Sequence, residues 1–168
     1  MEALSELLTR TCKLIQEEKK WTSVSRIVGE AAEDCIITLP CPICHEKSLT
    51  KYKTNEKSKD VMCKACSCQI QIKASKYRQN NTMPLKLMGA EYKTTCDSFK
   101  NNTIHYIVLL YSVSSEKYTI QDILFINHQD ISESCIVPRN PLKPTAKRAG
   151  WQGCTLVFNA CRSIRLIS

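Results

Sequence analysis

Two pairs of closely spaced cysteines constrain the fold of this chain more than any other feature of its sequence. The pairs are Cys41-Pro-Ile-Cys44 and Cys63-Lys-Ala-Cys66, and eighteen residues separate them. Two turns of this kind can each present two thiolates to one tetrahedral zinc ion. The sequence therefore predicts a structural zinc bound by Cys41, Cys44, Cys63 and Cys66. Four sulfur ligands fill the coordination shell, so this ion would not itself be catalytic.

Other interpretations of these cysteines stay open. The thiols could be buried and free, or they could form a redox dithiol, although a redox site would not explain a second matched pair. Cys68 and His45 are close enough in sequence to replace one of the four ligands. The chain has 11 cysteines and no apolar signal segment, so we expect a soluble protein in a reducing intracellular compartment, cytoplasmic or nuclear. No apolar run is long enough to cross a bilayer, and we expect no membrane partner.

Positive charge is concentrated near the end of the sequence. The formal net charge is +8, and residues 139–168 contain six basic residues and no acidic one. Such a segment attracts polyanions and suits contact with a phosphate backbone. A solvated basic surface without a partner explains the same charge equally well.

The spacing of apolar residues predicts a mixture of helices and strands. We predict helices over residues 2–20 and from Thr22 or Ser23 onward. A third helix would begin at Pro84, with Leu85, Met88 and Tyr92 on its apolar face. The predicted strands are residues 35–39, 70–73, 104–111, 118–126, 131–137 and 154–158. This order predicts a mixed α/β fold, with residues 1–168 in one domain and a zinc-binding insertion at residues 41–66.

A polar group beside the second cysteine pair is a candidate active site. Asp60 lies three residues before that pair, and the alternating stretch Ile70-Gln71-Ile72-Lys73 follows it. Alternation along a strand places Gln71 and Lys73 on one face. The Asp60 carboxylate, the Gln71 amide oxygen and the Ile72 backbone carbonyl could hold magnesium. Lys73 could orient or deprotonate a water and stabilise charge on a phosphate. The pattern alone is more typical of a surface strand with polar residues facing outward.

Six segments occur together in one order along the chain. They are Arg26-Ile27-Val28-x-Glu30, Cys41-Pro-Ile-Cys44, Asp60-Val-Met-Cys63-Lys-Ala-Cys66, Gln71-Ile-Lys73, Gly89-Ala90 and Pro141-Leu-Lys-Pro-Thr-Ala-Lys-Arg-Ala-Gly-Trp151-Gln-Gly-Cys154. In these segments the chain resembles the catalytic domain of the DpnI-type, methyl-directed restriction endonucleases (the Dam-replacing family), a zinc-containing branch of the PD-(D/E)xK nuclease superfamily. The resemblance runs from about Arg26 to about Phe158, and the last segment is long and distinctive.

The resemblance implies a restriction-endonuclease-like PD-(D/E)xK core, in which helices flank a central mixed sheet and the four-cysteine zinc site is an insertion. It also implies a magnesium-dependent endonuclease that hydrolyses phosphodiester bonds of double-stranded DNA, directed to methylated adenine in GATC-like sites. Asp60 matches the family's metal-binding aspartate, Gln71 its acidic residue and Lys73 its lysine. Glu30, on the second predicted helix, matches an auxiliary acid that the superfamily often places there.

The chain departs from the family pattern in two respects. Gln71 offers a carbonyl oxygen but one negative charge fewer than an acid, so we expect weaker metal binding or a single ion. Other branches of the superfamily resemble this chain in their Gln-x-Lys pattern and cut DNA, so activity is still expected. Family members also carry a C-terminal winged helix that helps to read adenine-methylated GATC. We expect this chain to lack it, which puts recognition of methylated sites in question.

Contacts with DNA are expected along the basic segment and just after the catalytic strand. Lys143, Lys147 and Arg148 could bind phosphates, and Trp151 could stack on a base or fill the space beneath its loop. Lys76 and Arg78 are placed to meet the DNA backbone.

Two rival interpretations stand beside the nuclease. The first is a catalytically weak or inactive DNA-binding module of the same fold. The second is a zinc-stabilised subunit of a larger nuclease complex, and a homo-oligomer is compatible with the sequence as well. The presence of both Asp60 and Lys73 favours the nuclease, because a chain without catalysis has no need of the pair.

Overall fold

The computed structural model describes residues 1–52, 59–77, 85–101, 104–145, 147, 149–158 and 163–166. The helices within these residues are α1 (Glu2–Lys19), α2 (Val24–Ile36) and α3 (Tyr92–Asn101). The strands are β1 (Leu49–Lys51), β2 (Val61–Cys63), β3 (Gln69–Lys76), β4 (Leu85–Glu91), β5 (Ile104–Ser114), β6 (Lys117–Ile126), β7 (Ile136–Pro138), β8 (Gly153–Phe158) and β9 (Ser163–Arg165). Among the described helices, none is both long enough and apolar enough to cross a membrane.

Six of the strands form a central mixed sheet. Their order is β1-β2-β3-β5-β6-β9, and the β3–β5 pair is parallel while the other neighbours are antiparallel. The parallel register aligns Gln71 with Tyr106 and Lys73 with Val108. The expectation of a mixed α/β fold with helices and a central mixed sheet is therefore confirmed.

Helices α1 and α2 cover one face of the central sheet. In α1, Leu8, Cys12 and Ile15 recur every three or four residues and are buried. They belong to one apolar cluster with Ile72 and Ile107 of the sheet. Each fully buried aliphatic side chain contributes about 1.5–3 kcal/mol relative to an exposed one. This cluster therefore fixes both helices against β3 and β5.

A second, three-stranded sheet covers the opposite face. Its order is β4-β8-β7, and α3 packs against it. Leu87 and Leu156 of this sheet pack with Val108 and Leu124 of the central sheet. Strand β5 therefore has an apolar layer on both sides, and this explains why residues 104–111 are buried without alternation.

The helix predicted to begin at Pro84 is mostly a strand. Residues Leu85–Glu91 form β4, which pairs with β8, and only α3 after them is helical. Leu85 and Leu87 are buried while the residues that follow each of them are exposed. This is the two-residue period of a strand, and it outweighs the helical spacing on which the prediction depended. Pro84 itself lies outside the described residues.

The strand predicted at residues 35–39 is also wrong. Cys35 and Ile36 form the last turn of α2, and the Ile37 N–H donates to the Glu33 carbonyl at 3.1 Å. Cys35 and Ile36 are buried, and so are Ala31 and Ala32, four residues before them. A repeat of four residues is helical spacing.

The other predicted elements agree with the structure to differing extents. The strands at 70–73, 104–111, 118–126 and 154–158 lie within β3, β5, β6 and β8. Of the predicted strand at 131–137, only Ile136 and Val137 belong to β7. The first two predicted helices correspond to α1 and α2.

Candidate active site and metal centre

The four paired cysteines converge as their spacing predicts. The Sγ atoms of Cys41, Cys44, Cys63 and Cys66 all lie within 4.8 Å of one another. Cys41 Sγ is 3.7 Å from Cys66 Sγ, and Cys44 Sγ is 3.5 Å from Cys63 Sγ. Sulfurs bound to one tetrahedral zinc at about 2.3 Å lie roughly 3.8 Å apart. The cluster therefore fits a zinc ion and could hold one.

The two cysteine turns share one backbone geometry. The His45 N–H donates to the Cys41 carbonyl and the Ser67 N–H to the Cys63 carbonyl, each at 2.8 Å. His45 and Ser67 both have a left-handed φ, of 63° and 60°. Ser48 supports the second turn, because its Oγ lies 2.9 Å from Cys63 Sγ. A hydroxyl at this distance stabilises a thiolate ligand.

The metal centre is joined directly to the candidate active site through β2. This strand begins at Val61, one residue after Asp60, and ends at Cys63, one of the four cysteines. Its antiparallel register pairs Val61 with Ile70 of β3. A metal bound at Cys63 and Cys66 would therefore fix the connection between β2 and β3, and with it the short strand that follows Asp60.

The Asp60 carboxylate replaces a backbone partner just before β2 begins. Its Oδ2 accepts a hydrogen bond of 2.7 Å from the Ile72 N–H, while the Asp60 N–H donates to the Ile70 carbonyl at 3.1 Å. In an antiparallel ladder the N–H and C=O of one residue point to the same neighbour. The Ile72 carbonyl is therefore directed to the same side of β3 as the Asp60 carboxylate.

Gln71 and Lys73 point to the opposite face from Ile70 and Ile72. The two isoleucines belong to the apolar cluster under the helices, and Gln71 and Lys73 alternate with them toward the second sheet. The structure thus brings Asp60, Gln71 and Lys73 to the same part of β3.

Asp60 and Lys73 lie within electrostatic reach of each other. Burial raises the pKa of Asp60, and the Ile72 N–H bond and the charges of Lys73 and Lys51 oppose this rise. Burial lowers the pKa of Lys73, and the charge of Asp60 opposes that shift. The ion pairs formed by the described residues do not include an Asp60–Lys73 pair. The two groups therefore influence each other without direct contact.

Glu33 is a further acidic group near Asp60, and the sequence patterns did not identify it. Burial raises the pKa of Glu33, and the negative charge of Asp60 raises it further. Lys51 Nζ lies 3.5 Å from Glu33 Oε2 and partly offsets this effect. Glu30, the acid expected from the resemblance, forms an ion pair with Lys19. Glu33 lies one helical turn after Glu30, and this spacing is the signal that could have identified it.

Two further side chains lie on the second-sheet side of the site. Tyr106 is aligned with Gln71 in the parallel register. Burial raises the pKa of Tyr106 to about 12, and the neighbouring Cys154 and Asp60 add to the rise. Its phenol therefore keeps its proton near neutral pH and can donate a hydrogen bond. Cys154, whose Sγ is 3.6 Å from Thr95 Oγ1, also influences the pKa of Lys73.

Gly89 permits this side of the site to close. A Cβ at position 89 would lie 2.3 Å from Cys154 Sγ, a contact that side chains do not make. The β4–β8 register shifts between Met88 and Glu91, as a bulge requires. Glycine therefore allows β4 to approach β8 beside Cys154.

The first part of the basic segment, residues 139–152, connects β7 to β8 and is called the basic loop. The Arg139 N–H donates to the Gly153 carbonyl and the Leu142 N–H to the Trp151 carbonyl, each at 2.9 Å. Gly150 turns the chain with a φ of 77°. Lys143 and Lys147 are exposed on this loop, Lys76 is exposed at the end of β3, and Trp151 is half-buried. Arg78 and Arg148 lie outside the described residues.

The loop returns to the core beside the candidate active site. It ends at Gly153, next to Cys154, which lies within electrostatic reach of Lys73. A polyanion bound along Lys143 and Lys147 would therefore lie on the same connection that leads to the site.

A comparison with protein-family models finds a match over nearly the whole sequence. The model of the DpnI family, described as the Dam-replacing family, matches residues 8–165 of the 168. The matched range includes both cysteine turns, the residues Asp60, Gln71 and Lys73, and the loop between β7 and β8.

Proposed function

Since the chain belongs to the DpnI, or Dam-replacing, family of restriction-type endonucleases related to methylated DNA, we propose that it hydrolyses phosphodiester bonds of duplex DNA at Asp60, Gln71 and Lys73. The observation that carries the proposal is the bond of 2.7 Å from the Ile72 N–H to Asp60 Oδ2. This bond fixes a carboxylate beside the strand on which Gln71 and Lys73 share a face. We assign this arrangement to a PD-(D/E)xK core.

The donors around Asp60 suit magnesium. Carboxylate, amide and backbone carbonyl oxygens are the ligands that this hard cation prefers, and Asp60, Gln71 and Ile72 supply one of each. Magnesium bound there would polarise a phosphoryl oxygen and favour deprotonation of a water. Glu33 and Glu30 on α2 are candidates to assist through their charge.

Lys73 is assigned the handling of the attacking water and of the charge that develops on phosphate. Lys73 is half-buried and lies on the same face of β3 as Gln71. Because burial lowers the pKa of Lys73, a larger fraction of it is neutral near pH 8 than of an exposed lysine. The neutral amine can accept a proton from water, and the ammonium can stabilise the phosphate.

Replacing Gln71 by glutamate should tighten magnesium binding. The change adds one negative charge beside Asp60, and ligand charge is a main determinant of affinity for such cations. We expect the magnesium concentration for half-maximal cleavage to fall on the order of tenfold. The matched control is Gln69→Glu, which adds the same charge two residues earlier on the same face of β3. A higher magnesium requirement in Gln71→Glu would contradict the metal assignment.

The exposed lysines of the β7–β8 loop are proposed to bind DNA phosphates, together with Arg148, Lys76 and Arg78. Removing one lysine that neutralises a phosphate should reduce the slope of log affinity against log salt by about 0.9. A Lys143→Ala/Lys147→Ala variant should therefore show a slope shallower by about 1.8 in fluorescence anisotropy titrations. The control is Lys13→Ala in α1, which lies on the layer across the central sheet. An unchanged slope in the loop variant would remove the loop from the DNA interface.

The function as a whole is tested by cleavage of defined duplexes. The unaltered, zinc-loaded chain should cut duplex DNA when magnesium is added and not when magnesium is left out. Adenine-methylated and unmethylated GATC duplexes, compared side by side, show whether methylation directs the cut. The neutral Gln71 favours one alternative, a DNA-binding module without catalysis. Tight binding of either duplex without cleavage at any magnesium concentration would establish that alternative.

A further inference from the structure

A fifth thiol lies at the edge of the four-cysteine cluster. Cys68 Sγ is 3.4 Å from Cys41 Sγ, whereas Cys66 Sγ is 3.7 Å from the same atom. Both separations are near the roughly 3.8 Å expected between sulfurs that share a tetrahedral zinc. Cys68 is therefore as close to Cys41 as one of the four converging cysteines is.

The backbone directs Cys68 toward the cluster. Ser67 reverses the chain with its left-handed φ of 60°, and the Cys68 carbonyl then accepts a bond of 3.0 Å from the Cys63 N–H. In the first turn, the Glu46 carbonyl makes the equivalent bond to the Cys41 N–H at 2.8 Å. The two turns are therefore alike in backbone, but the second has a cysteine where the first has a glutamate.

The four converging cysteines differ in exposure. Cys41 and Cys63 are fully buried, Cys44 is half-buried and Cys66 is exposed. Cys68 is half-buried, and so better shielded than Cys66. Cys66 is therefore the ligand that a chelator or electrophile in solution reaches first, and Cys68 lies beside it.

We propose that Cys68 is a reserve zinc ligand that can take the place of Cys66. In this exchange the zinc–sulfur bond to Cys66 breaks, a zinc–sulfur bond to Cys68 forms, and the proton of the Cys68 thiol moves to the released Cys66 sulfur. The metal keeps four thiolates and its charge is unchanged. The proposal rests on zinc binding by this cluster and is independent of the proposed nuclease activity.

The test compares zinc retention in four variants of the full chain: Cys66→Ser, Cys68→Ser, Cys66→Ser/Cys68→Ser and, as the control without a neighbouring spare thiol, Cys44→Ser. Zinc content is measured after gel filtration, and affinity by competition with a chromogenic chelator. Cys66→Ser and Cys68→Ser should each keep one zinc, with affinity lowered by at most the roughly 10- to 100-fold that loss of a supporting group costs. The double variant and Cys44→Ser should lose more than about 100-fold, beyond the range of supporting groups.

A spectroscopic measurement identifies the replacement ligand. Cobalt(II) bound to Cys66→Ser should retain the thiolate-to-metal charge-transfer intensity of the unaltered chain, because four sulfurs still bind it. If the double variant does not fold while Cys66→Ser folds and keeps its zinc, that result supports the proposal as well.

Three results would overturn the proposal. In the first, Cys66→Ser loses zinc as readily as Cys44→Ser. In the second, the double variant binds zinc as tightly as Cys66→Ser, so that His45 or water supplies the fourth ligand. In the third, the unaltered chain binds no zinc, which removes the metal site and the reserve ligand together.

Discussion

Replacing Lys73 by alanine is expected to lower the rate of DNA cleavage by about 10²–10⁴-fold, the range typical for loss of a group that transfers protons in the transition state. Lys73 shares a face of β3 with Gln71, and its pKa responds to the charge of Asp60. Affinity for DNA should change little, since a single ammonium contributes little beside the basic loop. Single-turnover cleavage of plasmid DNA at saturating protein separates these two effects.

Two further variants make the Lys73 result specific. Lys73→Met keeps the apolar stem and should be as inactive as Lys73→Ala, so that a packing defect is not the cause. Lys117→Ala, at the exposed start of β6, should cleave at the normal rate. If Lys73 accepts a proton, the normal rate should rise with pH toward its lowered pKa, because the neutral form is the active one. That rise should be absent in Lys73→Met. Normal cleavage by Lys73→Ala would exclude this site.

Removal of zinc is expected to unfold the region around the two cysteine turns and to abolish cleavage. Structural zinc contributes about 10–16 kcal/mol in isolated zinc-finger peptides, where the ion replaces a core. Here the four cysteines tie the first cysteine turn to the connection between β2 and β3, and so hold the strand that follows Asp60. Chelation should therefore lower the melting temperature and increase hydrogen exchange over residues 41–52 and 59–72. The β5–β6 hairpin, buried between two layers, is the internal control and should stay protected.

The metal-reconstitution experiment distinguishes a structural from a catalytic zinc. Zinc should restore activity to the chelated protein, and cadmium should do so equally, because it also binds thiolates and only has to hold the turns. Magnesium alone should not restore activity. An unchanged melting curve after complete removal of zinc would show that the ion does not support the fold.

The sequence was sufficient wherever the signal is local. The spacing within each cysteine pair predicts the converging sulfurs, since each turn is completed within five residues. The alternation around Gln71 predicts the two faces of β3. The resemblance adds the roles of Asp60 and Lys73, which no local pattern supplies, and those roles are still predictions.

The sequence was insufficient where neighbours come from distant elements. Tyr106 lies in an unbroken buried stretch of β5, where no sequence pattern marks it as a site residue. Only the parallel β3–β5 register places it beside Gln71. Cys154 reaches the site because the second sheet folds over the central one. The strand Leu85–Glu91 was mistaken for a helix because Leu85, Met88 and Tyr92 have helical spacing, whereas the residues that the second sheet buries are the alternating Leu85 and Leu87.

The bond between Ile72 and Asp60 has a consequence for how loss-of-function variants are interpreted. The same carboxylate that we assign to the cation also extends the β2–β3 hairpin, because it accepts the Ile72 N–H just before β2 begins. Replacing Asp60 by alanine would therefore remove both the acceptor of the Ile72 N–H bond and the proposed metal ligand. Loss of activity in that variant would then have two explanations. Asparagine keeps an oxygen for the N–H and discards only the charge. It is consequently the substitution that separates architecture from chemistry at this position.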